Sequence, residues 1–163
     1  MFAFRAALGE IDLPVINVSF ASPFVGNDVF RDKFIDLERE KRVKHLRVSN
    51  YQDVVTLIPA MTFPLPAGIQ PFKHVGMNIR LYSGDLCSPN YRRFYPKMGS
   101  FINGMRNTLH ANLMLGLSTD PIGNHLTPEY TKRLQSEGTK KELSKLSLDD
   151  LYADQSITGW RYI

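Results

Sequence analysis

Between Leu13 and Asn50 the chain reads LPVINVSFAS, then GNDVFRDKFIDLEREK, then KHLRVSN, and this succession limits the fold more than any other feature. The first piece is a mostly apolar run rich in β-branched and aromatic residues, as in a strand buried on both faces. It stops at Ser22-Pro23. The second places Phe30, Phe34 and Leu37 on one helical face, with acids early and bases late, the order the helix dipole favours. The third is again a strand. Strand, helix, strand in this order makes a βαβ unit, which closes as a right-handed crossover in a parallel sheet. The fold class is therefore α/β, a mostly parallel sheet with flanking helices.

The remaining segments fit around that unit. MFAFRAALGE reads as a helix ending at Gly9, because Phe2, Ala6 and Leu8 are near helical spacing and glycine favours the position just past a helix end. A helix already ending there implies a chain that starts inside a domain. IPAMTFPLPAGIQP, residues 58–71, holds four prolines and one glycine and reads as an extended loop. In HVGMNIRLYS, Val75, Met77, Ile79 and Leu81 alternate with Gly76, Asn78 and Arg80, the period of a further strand. From Ser100 to Leu117, Ile102, Met105, Leu109, Leu113 and Leu117 recur at helical spacing, with His110 inside the pattern. Thr127 as N-cap, Pro128 at the first helical position and Glu129 in the first turn start another helix. That places His125 in the loop just before it. The tail from Gly138 is polar apart from a few leucines and Trp160, with a short helix starting near Ser147.

Composition removes several functions. The single Cys87 cannot form an internal disulfide, and no Cys and His residues have zinc-site spacing, so neither metal nor cofactor is expected. Twenty Lys and Arg against sixteen Asp and Glu give a net charge of +4, spread over separate clusters, which is not the dense basic stripe of a nucleic-acid binder. No run approaches the length of a transmembrane segment.

RVSNYQDVVTLIPA, residues 47–60, carries a carboxylate, Asp53, just past a strand end and with no basic residue beside it in sequence. Beyond the carboxyl ends of parallel strands lies the working edge of an open α/β sheet. Asp53 thus sits where binding and chemistry concentrate in such folds.

Taken together, FASPFVGNDVF, RVSNYQDVVTLIPA, FKHVGMNIRLY and GNHLTPEYTKRL resemble the fungal-type (class 3) lipases, α/β-hydrolases acting on acylglycerol and related lipid esters. The matching positions are Ser22, Pro23, Val25, Gly26 and Asn27; Arg47, Val48, Asn50, Asp53, Val55 and Pro59; His74, Val75 and Gly76; and His125 and Tyr130. The resemblance covers residues 1 to about 135 and implies that Asp53 is the acid and His125 the base of a Ser-Asp-His triad. It also implies a lipid ester substrate met at a lipid–water interface, and a structural His74. The order nucleophile, acid, base is that of α/β-hydrolases generally. In such a triad the carboxylate orients the imidazole, which takes the serine proton.

The departure lies in the nucleophile. A nucleophile elbow reads G-x-S-x-G, and the sequence contains none. GLSTD at 116–120 lacks the second glycine and follows a helix, while Ser19 and Ser22 lie on or after the strand that follows the elbow helix in the family. The expected organisation is therefore a partial α/β-hydrolase fold, with residues 1–137 as the C-terminal part of a lipase-like domain and 138–163 as a polar tail. The N-terminal strands, elbow, oxyanion donors and lid are absent from it. Such a piece is expected to be inactive alone and to expose a sheet edge that favours self-association. The other expectation is a non-catalytic lipid-binding or protein-interaction module derived from the same fold.

Overall fold

A computed structural model describes residues 2–10, 14–57, 72–83, 89–94, 120 and 122–153. The apolar runs form three parallel strands: β1 (Val15–Phe20), β2 (Val43–Asn50) and β3 (Met77–Leu81). A fourth, β4 (Tyr91–Phe94), pairs antiparallel to β3, giving the sheet order β1-β2-β3-β4. β1 opens on Val15 opposite Val43, and β2 pairs Val48 with Ile79 and Asn50 with Leu81. The expected α/β architecture is present, with helices on both faces.

Helix α1 (Phe2–Arg5) runs into a wider turn over Ala6–Glu10, where Gly9 takes φ 147, a conformation side chains resist. Helix α2 (Asp28–Arg39) begins where Asn27 Oδ1 accepts the Phe30 amide. Phe4, Ala7, Phe34 and Leu37 from these helices pack on Val15, Val43 and Val75. On the opposite face lie α3 (Thr127–Gln135), α4 (Glu137–Leu143) and α5 (Leu148–Ala153). Here Tyr130, Leu134, Leu143, Leu146 and Leu148 pack with Ala21, Val48, Ile79 and Leu81.

Several expectations change. β1 is not buried on both faces: Ile16, Val18 and Phe20 are 62%, 50% and 53% exposed, alternating with half-buried Val15, Asn17 and Ser19. Among the described residues the second helical layer packs over β2 and β3 and reaches β1 only where Tyr130 meets Phe20, leaving Ile16 and Val18 on that face of the edge strand largely exposed. β3 is instead buried on both, with Asn78 accepting a hydrogen bond from Ser49 Oγ at 3.1 Å. Leu126, not Thr127, caps α3, because a 3-10 turn over Gly123–His125 feeds straight into the helix and Leu126 O takes the Glu129 and Tyr130 amides. β4 and α4 have no counterpart in the sequence reading. Ser147 does start α5, exchanging hydrogen bonds with Asp150 as a capping box. The loop at 58–71, the helix at 100–117 with His110, and Cys87 lie outside the described residues.

Two histidines are built into the fold, His45 on β2 and His74 just ahead of β3. His74 is buried, stacks on Phe24, accepts from Arg47 Nη1 at 2.7 Å and donates from Nε2 to Thr56 O at 3.0 Å. Burial first, and then Arg47, hold it well below its ordinary pKa. His45, 2.9 Å from Ser19 Oγ, is lowered to about 4 by burial and by Arg47. In both cases the unfolded chain binds a proton below pH 6.5 that the folded chain refuses. Stability is therefore complete above 6.5 and drains away as pH falls, for His45 down to about 4, where its share reaches about 3 kcal/mol. His45→Gln is expected to flatten this acid loss, read as urea midpoints at neutral pH and near pH 4. An unchanged acid dependence would refute the assignment.

Candidate active site

At the end of β2 the chain has to leave the sheet without abandoning its polar backbone groups. The Tyr51 amide donates to Leu81 O at 2.8 Å, extending the ladder by one bond. Gln52 then takes φ 67, and the Asp53 amide closes the turn on Asn50 O. A side chain in that left-handed region costs roughly 1–2 kcal/mol, and the reversal turns Asp53 inward instead of leaving it in solvent. Asp53 Oδ1 accepts the Val55 amide at 2.9 Å and Thr56 Oγ1 donates to Asp53 O, which opens a short 3-10 turn over Val55–Leu57.

The Asp53 side chain has no exposed surface. Two further donors reach it from α3 and the turn before it. Tyr130 donates its hydroxyl hydrogen to Oδ2 at 2.7 Å, and His125 Nδ1 lies 3.2 Å from Oδ1 and 3.3 Å from Oδ2. Because the Asn50 amide donates to the Tyr130 oxygen at 3.0 Å, the phenolic hydrogen is left to point at Asp53. Burial, reinforced by that hydrogen bond to Asp53, holds the phenol well above its ordinary pKa, so Tyr130 remains a donor. A carboxylate opposite Nδ1 fixes the hydrogen there, which leaves His125 Nε2 as the ring's lone-pair nitrogen.

His125 itself is one-third exposed and borders an open pocket of about 410 Å³. Phe20 and Ala21 from the end of β1 form one wall, and Thr127, Tyr130, Thr131 and Leu134 from α3 the other. Its size falls in the range of roughly 300–1,000 Å³ common for small-molecule sites. Ile122 and Leu126, on either side of His125 in the chain, are exposed apolar residues.

The two residues the family pattern singles out, 72 apart in sequence, thus stand within hydrogen-bond reach. The serines do not join them. Ser19 Oγ engages His45, Ser22 Oγ turns to Pro23 O, and among the described residues no serine hydroxyl bonds His125. Residues 116–119 of GLSTD lie outside the described set. No group of three or more potential metal ligands occurs among the described residues, and no described helix is long and apolar enough to cross a membrane.

Sequence reasoning missed the clamp that holds the turn carrying His125. Buried Arg133 reaches Tyr51 O at 3.1 Å, Leu81 O at 3.3 Å and Asn124 Oδ1 at 2.5 Å, with Glu129 on its Nε. Asn50 Nδ2 adds a bond to Asn124 O at 2.8 Å. The spacing carries a signal: Arg133 follows Tyr130 by three and precedes Leu134, which sets the arginine on the packed face of α3.

Phospholipase A1-Ialpha2, chloroplastic, of Arabidopsis thaliana is 34% identical to the chain over 85 residues, covering 45% of this chain. The matched part spans 17% of that phospholipase's length. No family model matches the chain, and no solved structure matches it.

Removing the clamp should loosen both strand ends and the His125 turn. Arg133→Met is expected to cost about 2–4 kcal/mol in urea denaturation, because Tyr51 O loses its donor, Leu81 O keeps only the Tyr51 amide, and Glu129 loses its ion pair with Arg133. The His125 amide, bonded to Ile122 O, should exchange its hydrogen faster. Wild-type exchange in a destabilised variant would separate the clamp from the turn.

Proposed function

We propose that Asp53 and His125 are the acid and base of a Ser-Asp-His triad that hydrolyses lipid esters, in a domain of the class 3 lipase type to which residues 1–137 contribute the C-terminal part. The observation that carries this reading is His125 Nδ1 lying 3.2 Å from a carboxylate with no exposed surface, at the carboxyl edge of a parallel sheet. The partial likeness to a plastid phospholipase supports a lipid substrate. So do the apolar walls of the pocket and the exposed Phe20, Ile122 and Leu126 beside His125.

In this mechanism His125 Nε2 takes the proton of a serine hydroxyl as Oγ attacks the ester carbonyl. The resulting imidazolium is stabilised by Asp53 and returns the proton to the departing alcohol. Water then repeats the sequence and frees the fatty acid. The nucleophile is supplied by a G-x-S-x-G elbow outside these 163 residues, since the sequence holds no such motif. The second reading, a lipid-binding module without catalysis, is favoured by the absence of any serine bonded to His125 among the described residues.

The 163-residue chain is expected to show no turnover of short-chain nitrophenyl esters. A longer chain that adds the elbow should turn them over, and Asp53→Asn or His125→Ala should slow it by roughly ten-thousandfold. Wild-type rates in both variants would remove the assigned roles. Turnover by the short chain that either substitution abolishes would place the nucleophile within it. Lipid binding by the longer chain with no esterase activity would favour the second reading.

A further inference from the structure

We propose that Tyr130 is a positioning residue whose hydroxyl fixes the rotation of the Asp53 carboxylate and, through it, the tautomer and orientation of the His125 ring. The proposal rests on the acid–base reading of that pair and adds to it the group that makes the pairing directional.

Packing alone does not explain the hydroxyl. The Tyr130 ring is buried with Val48, Ile79 and Leu81, and meets Phe20 edge-on at 5.8 Å. A phenylalanine would fill that space equally well. The oxygen requires partners once buried, and it has two: it accepts from the Asn50 amide and donates to Asp53 Oδ2. It is therefore anchored to the end of β2 while it holds a carboxylate three residues further on.

The geometry at Asp53 shows what the anchoring does. His125 Nδ1 is almost equidistant from the two carboxylate oxygens, at 3.2 and 3.3 Å. Such a shared bond lasts only while the carboxylate plane is held. The Val55 amide holds Oδ1 and the Tyr130 hydroxyl holds Oδ2, from opposite ends of the group. Without the hydroxyl, rotation about the Cβ–Cγ bond is restrained on one side only. Oδ2 then competes for the imidazole hydrogen without a fixed direction. The other charged groups near the turn and α3 are bound elsewhere: Asp120 accepts the Gly123 amide, and Glu129 pairs with Arg133.

The test is nitrogen NMR of the histidine rings in the 163-residue chain, in alkaline solution where an ordinary imidazole is neutral. Wild type is expected to hold His125 mainly as the Nδ1–H tautomer. Tyr130→Phe should lower the ratio of Nδ1–H to Nε2–H by about three- to tenfold, the equivalent of one net hydrogen bond. Ser136→Ala, which removes a hydroxyl bonded to Arg133 O and Thr139 Oγ1 at the far end of the same helix, should leave the ratio unchanged. Equal shifts in both variants would mean general loosening of α3 and overturn the proposal. Asp53→Asn separates the two levels of the argument. If it changes the ratio while Tyr130→Phe does not, the acid–base pair stands and the positioning role falls. If neither changes it, the pair itself fails. Should Tyr130→Phe not fold, 3-fluorotyrosine at position 130 keeps the shape and strengthens the donor. The His125 Nδ1–H resonance should then move, and an unmoved resonance overturns the proposal.

Discussion

A carboxylate sealed from solvent, Asp53, obliges the chain around it to supply hydrogen-bond donors. Moving an unsatisfied ion of this size into a protein interior costs several kcal/mol, and among the described residues no lysine or arginine bonds to this one. The donors are instead a backbone amide, a phenol and an imidazole. Each arrives from a different place: the turn after β2, the buried face of α3, and the 3-10 turn ahead of it. The approach of α3 to the strand ends is thereby tied to the chemistry of one side chain, and Arg133 reinforces it by bonding the carbonyls of Tyr51 and Leu81 at the strand ends.

The sheet presents this cluster asymmetrically. Three helices, α3 to α5, share a core with β2 and β3, whereas the outward face of β1 carries Ile16, Val18 and Phe20 into solvent. Phe20 belongs both to that bare strip and to the pocket wall. The apolar surface of the edge strand therefore runs into the cavity beside His125, and a ligand entering there meets hydrocarbon before it meets the ring.

Much of the frame was legible from patterning. The βαβ unit, the glycine that ends the first helix and the strand after residue 74 all follow from local spacing and backbone preference. Burial on both faces of β1 did not follow, since an apolar run records what a strand could bury and not which neighbours cover it. Thr127 has the chemistry of a cap, but the turn before it already delivers Leu126 into that position. β4, YRRF, has too many charged residues to announce itself; pairing with β3 fixes it. At the site, Asp53 and His125 stood out through family likeness, whereas Asn50, Asn124 and Arg133 act through tertiary geometry that no sequence window contains. Tyr130 lay in the family pattern, but its hydroxyl acquires meaning only once Asp53 is seen beneath it.

The hydrogen bonds that tie α3 and the turn before it to residues 50–53 join residues 72 to 82 positions apart. Contacts of such separation form only after a long stretch of chain has lost its freedom, and they reward the chain late in folding. Local order in β1, α2 and β2 can precede them, but a partly folded chain leaves Asp53 hydrated and His125 without its partner. The pairing of these two side chains is thus a marker of completed folding, and whatever reactivity it confers is withheld until the last helices dock.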